Sequence, residues 1–425
     1  MNVFRNLNQK KSTLLKNTVM LYILTFSSYL MSFIVVPYET RVLGTDGFAL
    51  LGVATAMMVY FQLIIDFGFL LSATEEVSRN RSDKQRLSVI FTAVTLNKLL
   101  LTLLSGVALL VLCRIVPHWR SNTGFFFLFF LATAINSLIP DYLYRGIEQM
   151  SAITIRTVLI KFFFTVMIFL LLKKPEDYCV IPLLNIIGNL GALLGVYVHL
   201  FRRLNIRFTR CSLSNVWGNL RQSMTFFLSR IASTAYTAAN TIILDILSAG
   251  AVTAYYTSAD KLITTAKNGL SPISDSLYPY MTKNRDFKLV KKVLAVIIPV
   301  IIVGCTVVFI WAEPLCVWFF GADYAATAPV LRAMLPVVVV ILPSYILGFP
   351  TLSAMGLSKH ANYSVVFGSV LHIINLTVLY FSGHMNMITL GVLVSIAETS
   401  ILLYRIVVIL RHRDLLVTPP DTEEA

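Results

Sequence analysis

The sequence predicts an all-α polytopic membrane protein with about twelve transmembrane helices in two six-helix lobes. Hydrophobic residues make up 57% of the 425 residues and charged residues only 13%, whereas about 25% of an ordinary soluble domain is charged. Apolar runs of ~20 residues, the length that crosses a bilayer, recur along the whole chain. The loops between these runs leave no room for a folded soluble domain, which excludes a typical cytosolic enzyme.

The apolar runs define the predicted spans in chain order. The first run has a basic flank but continues to Pro37 without a small-residue cleavage site, which favours a retained helix over a signal peptide. The four tryptophans fall at or near span ends, as interfacial anchors should. The predicted spans are 17–36, 47–71, 87–113, 122–143, 153–172, 179–201, 221–245, 250–277, 289–312, 329–349, 361–382 and 387–410.

The net charge of +14 would by itself suggest a nucleic-acid partner, but the positions of the charges do not. Most of the 35 Lys and Arg residues lie before span one or after the even-numbered spans. Because cytoplasmic loops carry the excess of basic residues, both termini are predicted to be cytoplasmic and the span count even. No nucleic-acid partner is predicted.

An internal repeat relates the two halves of the chain. Pro140 to Gly146, after span four, and Pro350 to Gly356, after span ten, both have the pattern P-x5-G. Since six spans return the chain to its starting side, the halves are predicted to be parallel repeats that enclose a cleft. The predicted lobes are 1–201 and 221–425, the latter with a short C-terminal tail, and the basic linker 202–220 is the expected hinge.

A polar face on span seven is the first candidate for substrate binding. Arg230 is followed at helical spacing by Ser233, Thr234 and Thr237, with Asn240 three residues further on. A guanidinium forks onto a phosphate, while hydroxyl and amide groups hydrogen-bond sugar hydroxyls. The alternative is a small-residue helix interface in which Arg230 pairs with Asp245 or Asp260.

Four lysines lie well inside predicted spans, away from the span ends, where a charge costs ~2.5–3.5 kcal/mol and is expected to face a cavity or a partner. Lys98, Lys261 and Lys267 are predicted to line the cavity, whereas Lys161 lies closer to the cytoplasmic side and is able to snorkel. Asp260, beside Lys261, offers an alternative local charge pair. The cationic excess suits an anionic head group.

Two intramembrane carboxylates, Asp66 and Glu398, are candidates for proton or cation coupling. The alternative is a salt bridge with an intramembrane lysine, or for Asp66 simple access to the cytoplasmic surface. The five cysteines are scattered without a Cys/His cluster, and the chain has neither a P-loop nor HExxH. No metal site and no cofactor is therefore predicted.

The segments Leu15 to Val19, Pro37 to Ala49 and Asp66 to Gly68 resemble those of Wzx-type polysaccharide (O-antigen) flippases, which belong to the multidrug/oligosaccharidyl-lipid/polysaccharide exporter superfamily. The resemblance covers nearly the whole chain. The family pattern P-x-W-x-x-x-G after span four is similar to Pro140 to Gly146, with Tyr142 in place of tryptophan.

The resemblance implies a two-lobed transporter that moves an undecaprenyl-diphosphate-linked oligosaccharide across the bacterial inner membrane to the periplasmic leaflet. It also implies coupling to an H⁺ or Na⁺ gradient and, as partners, a polysaccharide polymerase and a chain-length regulator. One alternative is a drug or small-cation antiporter of the same superfamily, although that activity favours an acidic lumen. The other is a membrane-embedded glycan transferase or polymerase, which usually exposes a large polar loop.

Overall fold

The computed structural model describes residues 2–248 and 250–416, except for the side chains of residues 2–25, 28–29, 229, 232–237 and 279. Within these ranges every regular element is helical, which confirms the predicted all-α class. The apolar runs that were predicted as spans lie mostly on helices, although 47–71 is interrupted at 67–68 and 122–143 at 138–140. The first nine α-helices are α1 Asn2–Asp66, α2 Phe69–Arg79, α3 Lys84–Ile115, α4 Pro117–Arg120, α5 Thr123–Ser137, α6 Asp141–Gly146, α7 Met150–Leu171, α8 Val180–His199 and α9 Leu213–Ser248.

The remaining part of the chain continues the same pattern of long helices joined by short connections. Two π-helical segments, Leu200–Leu204 and Leu347–Leu352, extend α8 and the helix that precedes the second segment. Short 3-10 turns occupy Pro175–Cys179, Ala322–Tyr324 and Arg413–Leu415. The other α-helices are α10 Ala251–Asn284, α11 Phe287–Ile310, α12 Ala312–Phe320, α13 Thr327–Ile346, α14 Ser358–Phe381 and α15 Met387–Arg411.

Nine helical stretches of the described chain are long and apolar enough to cross a membrane. The first, Leu30–Arg79, has 50 residues and contains a break at Gly44, where the backbone is not helical. Helices α9 and α10 coincide with predicted spans seven and eight but carry more polar residues, and they are not among the nine. The chain is therefore a multi-pass membrane protein, while the count of twelve spans and the position of the termini stay predictions.

Large apolar side chains face outward along several of these helices. On α11, Val296, Val300 and Val303 are each more than 60% exposed. An apolar stripe of this kind is unfavourable in water, because soluble proteins rarely expose contiguous apolar surface. A hydrocarbon surrounding explains it.

The chain forms two compact units. Unit one comprises Met1–Gly47 and Val53–Thr234, and unit two comprises Phe48–Gly52 and Ala235–Ala425. Each unit contains an apolar core, in unit one among helices that include α2, α3, α6 and α8 and in unit two among α10, α11, α13, α14 and α15. The predicted lobe boundaries, with a linker at 202–220, remain a prediction.

The predicted linker is anchored in unit one over part of its length. After the π-helical segment the chain turns at Asn205, whose φ is +55°. The backbone N–H of Arg207 then donates to the Ser88 hydroxyl and that of Thr209 to the Thr92 hydroxyl, both on α3. Helix α9 begins at Leu213, so only a short stretch between Thr209 and that helix is irregular and unanchored by these bonds.

The two P-x5-G segments lie at corresponding places, between α5 and α7 and between α13 and α14. Pro140 precedes the short helix α6, and Pro350 lies in the second π-helical segment. Their glycines serve different purposes: a Cβ on Gly146 would lie 2.3 Å from Cγ1 of Val77 on α2, whereas Gly356 has a φ of +79°. The shared spacing supports the repeat, which remains a prediction.

Candidate substrate and coupling site

A lysine–carboxylate pair joins α1 and α3 in unit one. Nζ of Lys98 lies 2.9 Å from Oδ1 of Asp66 and also donates to the carbonyl oxygen of Ser137. The ring centroid of Tyr142 lies 6.0 Å from the same ammonium group. The Lys98 side chain is 7% exposed and that of Asp66 22%. Two residues that the sequence assigned to separate roles thus form one ion pair, as the alternative interpretation of Asp66 anticipated.

The backbone after α1 fixes the position of Asp66. Asp66 is the last residue of the helix, and Phe67 and Gly68 follow with φ of +38° and +78°. A side chain on Gly68 would be strained by this φ, and its Cβ would lie 2.9 Å from atoms of the α9 segment Ser223–Phe227. Phe67 stacks on Phe227 with ring centroids 4.4 Å apart. The tight turn therefore ends α1 at the carboxylate and begins α2 against α9.

A second lysine–carboxylate pair joins α10 and α15 in unit two. Nζ of Lys267 lies 2.5 Å from Oε1 of Glu398, and the two side chains are 18% and 4% exposed. A buried carboxylate without a partner costs several kcal/mol, so Lys267 compensates the charge of Glu398. As in unit one, a predicted substrate-binding residue and a predicted coupling residue contact each other.

Asn240 belongs to a buried polar network within unit two. Its Nδ2 donates to the Tyr256 hydroxyl, and Nε2 of His372 donates to its Oδ1, each over 2.9 Å. Asn240 and His372 are fully buried and Tyr256 is 1% exposed. The network links α9, α10 and α14, and it occupies both ends of the amide that was predicted to bind sugar hydroxyls.

The other cationic candidates have different surroundings. Nζ of Lys261 lies 4.7 Å from the ring centroid of Phe48, which is a cation–π contact. Arg230 lies on α9 within unit one and is partly buried. The side chain of Thr234 lies outside the described residues, as do those of Ser233 and Thr237.

Arg405 is a buried cation that the sequence-based interpretation missed. It lies within the last predicted span, 387–410, and is 5% exposed. Its guanidinium donates to the hydroxyls of Ser364 and Ser344 over 2.8 and 3.0 Å and contacts the Ser344 carbonyl. A Cβ on Gly348 would lie 2.7 Å from Nη1. The available signal was the position of Arg405 five residues before the end of the apolar run 387–410.

The arrangement places cationic groups and carboxylates inside apolar helices. In the part of the chain that the structure describes, no group of three or more His, Cys, Asp or Glu is placed to hold a metal ion. Each of the two lysine–carboxylate pairs lies within one unit, so each unit contains a cation whose charge is balanced internally. Such groups at membrane depth are typical of transporters, in which they face a substrate or ion path.

Fold and site thus define a multi-pass helical membrane protein of the transporter type. The sequence pattern of the family described as "Polysaccharide biosynthesis protein" matches residues 14–285. The chain belongs to this family, which confirms the resemblance inferred from its N-terminal segments.

Two relatives agree with this assignment. A protein of Shigella dysenteriae, provisionally named an O-antigen transporter, is 26% identical over 398 residues, covering 91% of this chain and 97% of the relative. A protein of Escherichia coli (strain K12) with the same provisional name is 25% identical over 293 residues, covering 68% and 70%.

Solved structures show the same fold at low identity. The lipid II flippase MurJ in an inward closed conformation has a TM-score of 0.67 at 15% identity, covering 95% of this chain and 89% of that one. An inward-facing multidrug resistance MATE family transporter of the MOP superfamily has a TM-score of 0.62 at 14% identity, covering 91% and 94%. Both likenesses concern the fold alone.

Proposed function

We propose that the chain is a flippase that moves an undecaprenyl-diphosphate-linked oligosaccharide repeat unit from the cytoplasmic to the periplasmic leaflet by alternating access. The observation that carries this proposal is the presence of a buried lysine–carboxylate pair in each unit. The family match and the two O-antigen transporter relatives support it.

A lipid-linked diphosphate needs cationic partners because its charge does not cross hydrocarbon unaided. In this proposal Arg230, Lys98, Lys261 and Lys267 contact the diphosphate, and Thr234 contacts sugar hydroxyls. Asn240 contacts a sugar hydroxyl only in a state that releases its amide from Tyr256 and His372. Lys267 is the strongest candidate, since its side chain is more exposed than that of Lys98. The diphosphate would compete with Glu398 for the ammonium group.

The same exchange gives the carboxylates a role in ion coupling. When Lys98 or Lys267 turns to the substrate, Asp66 or Glu398 becomes an uncompensated intramembrane charge. Uptake of H⁺ or Na⁺ removes that charge, so a cation gradient would favour one state of the transporter over the other. Lys98, which is enclosed by Asp66, Ser137 and Tyr142, acts in this scheme mainly through Asp66.

The proposed location is the bacterial inner membrane, and the proposed partners are a polysaccharide polymerase and a chain-length regulator. The predicted lobes 1–201 and 221–425 would supply the two moving bodies, connected by the linker 202–220. The partly anchored linker leaves the stretch after Thr209 as the place for bending.

The test is deletion of the gene in its own host, with separate measurement of surface polysaccharide and of lipid-linked repeat units in each leaflet. We expect the surface polysaccharide to be lost and complete repeat units to accumulate on the cytoplasmic face. Complementation by Lys267→Met/Glu398→Gln should restore the membrane level of the protein but not the polysaccharide. Lys283→Met, which removes an exposed lysine from the same helix, is the matched control and should restore both.

Other outcomes of this experiment contradict the proposal. Repeat units that still reach the periplasm would favour a polymerase, and normal polysaccharide with altered drug sensitivity would favour an antiporter. An Asp66→Asn variant, assayed while the proton and sodium gradients are collapsed in turn, tests coupling. If it responds to each gradient as the wild type does, Asp66 is not the coupling group.

A further inference from the structure

An open pocket of about 640 Å³ lies in unit one at the end of α8, outside the intramembrane pairs. Arginine, asparagine and phenylalanine side chains form its walls, and no residue of the predicted substrate site contributes. The lining residues are Phe201, Arg202, Asn205, Arg207 and Phe208. The charge distribution predicts this end of unit one to face the cytoplasm.

The backbone holds the pocket walls in place. Ile206 is 1% exposed and belongs to the apolar core of unit one, and its N–H donates to the Leu200 carbonyl over 3.1 Å. The N–H groups of Arg207 and Thr209 are bound to hydroxyls on α3 at 3.3 and 3.0 Å. The pocket is therefore preorganised, since a ligand would not have to order this segment before binding.

The two pocket arginines have no internal counter-charge in the described structure. Among the described residues, the guanidinium groups of Arg202 and Arg207 form neither an ion pair nor a side-chain hydrogen bond, and both side chains are exposed. The sequence explains part of this, because it contains no Asp or Glu between Asp177 and Asp245. An anion that enters the pocket can therefore accept hydrogen bonds from both guanidinium groups without displacing a carboxylate.

Two of the other lining residues, Phe201 and Phe208, are apolar. Phe208 is 52% exposed and its ring centroid lies 5.8 Å from that of Phe201. A free phosphate ion gains nothing from contact with an apolar surface, whereas the glycerol and upper acyl region of a phospholipid packs against one. Basic pockets at the cytoplasmic ends of membrane helices suit anionic head groups.

We propose that this pocket binds the head group of an anionic phospholipid of the cytoplasmic leaflet, with Arg202 and Arg207 on the phosphate, Asn205 on the glycerol and Phe208 against the acyl chains. The site is independent of the proposed transport reaction, and its occupant is part of the surrounding membrane rather than the cargo.

The test uses the full-length purified protein in mild detergent, titrated with phosphatidylglycerol or phosphatidylcholine and observed by native mass spectrometry. We expect tighter binding of phosphatidylglycerol to the wild type. Arg202→Gln/Arg207→Gln should weaken that binding roughly 30-fold, since each basic residue near an anionic lipid contributes about fivefold. Arg203→Gln/Arg210→Gln removes the same charge from exposed residues that do not line the pocket, and it should bind as the wild type does.

Three results would overturn the proposal. Equal weakening in both double variants would mean a diffuse basic surface, and equal binding of phosphatidylcholine would remove the role of the anionic head group. Displacement of phosphatidylglycerol by millimolar inorganic phosphate would make the pocket a site for a free anion. All four substituted arginines are exposed, so loss of folding does not confuse the comparison.

Discussion

At the scale of single residues, the chain balances its intramembrane charges in pairs. Lys98 with Asp66 and Lys267 with Glu398 are buried pairs, and the partners are 32 and 131 residues apart in the sequence. Burial makes each charge depend on its partner, since removal of one leaves the other uncompensated. In a transporter this dependence is useful because a substrate or ion that replaces a partner changes the energy of the whole state.

The pair Lys267–Glu398 yields a stability prediction. Lys267→Met removes the cation that lies 2.5 Å from the buried Glu398 carboxylate and should destabilise the protein by about 3–5 kcal/mol. The double variant Lys267→Met/Glu398→Gln should regain most of that loss, because neither position then carries a charge. Thermal unfolding in detergent, followed by intrinsic fluorescence, measures the difference.

The surface pair Arg79–Glu75 is the matched control for this cycle, with side chains 74% and 46% exposed. Its double neutralisation should change stability by at most ~1 kcal/mol. If Lys267→Met and the double variant unfold at the same temperature as the wild type, Glu398 is not buried as described and the pair has no energetic role.

The residue types of the site were predictable from the sequence, but their pairings were not. A charge inside an apolar run is visible as such, which is why Asp66, Lys98, Lys267 and Glu398 were all identified. Which lysine meets which carboxylate depends on the packing of helices far apart in the chain, which one sequence does not contain. Arg405 was missed for the same reason, because its serine partners lie on α13 and α14.

At the scale of elements, helix contacts are set by small residues at particular positions. Gly146 at the end of α6 packs against Val77 of α2, which is fully buried. The repeat predicted that this glycine corresponds to Gly356, but spacing alone gave no sign that one permits a close contact and the other a positive φ. The sequence pattern thus predicted where the helices lie, but it did not predict why particular helices approach each other closely.

This contact leads to a prediction for Gly146→Ala. The new methyl group would lie 2.3 Å from Cγ1 of Val77, so overpacking should destabilise the protein by about 1–3 kcal/mol. Val77→Ala in the same chain removes the clashing methyl groups and should restore part of the loss. Thermal unfolding of the three variants measures both effects.

Gly191→Ala in α8 is the matched control, because its Cβ would meet nothing within 4 Å. That variant should be neutral or up to ~1 kcal/mol more stable, as alanine is the better helix former. Equal destabilisation by Gly146→Ala with and without Val77→Ala would show that the contact with α2 is not the cause.

At the scale of the whole molecule, the charge distribution predicts the topology, whereas the fold shows which helices are long enough to cross a membrane. The helical stretches that are long and apolar enough to span a membrane number nine in the described chain, and the first of them contains a break at Gly44. Helices α9 and α10 carry polar residues and are not in that set, although both are long enough to span. A transporter needs such polar helices, because an entirely apolar bundle offers no path to a charged substrate.

The topology follows if α9 and α10 span and the break at Gly44 separates two spans. Both termini and the connection between α8 and α9 are then cytoplasmic, whereas the connection between α7 and α8 is periplasmic. Green fluorescent protein fused after Ala425, or inserted between Thr209 and Leu213, should fluoresce, because it folds in the cytoplasm. An alkaline phosphatase insertion at Pro175 should be active, because that enzyme matures in the periplasm.

Both reporters are placed in turn at every position. Each position then serves as its own control, since the two reporters must give opposite signals there. An active phosphatase after Ala425 together with a fluorescent insertion at Leu213 would leave an odd number of spans in the second half. Such a result would remove α9, α10 or another helix from the set of spans and with it the parallel repeat, because two parallel halves require equal and even counts. The ion pairs within each unit would not be affected by this result, but the two halves of the chain would no longer be parallel repeats.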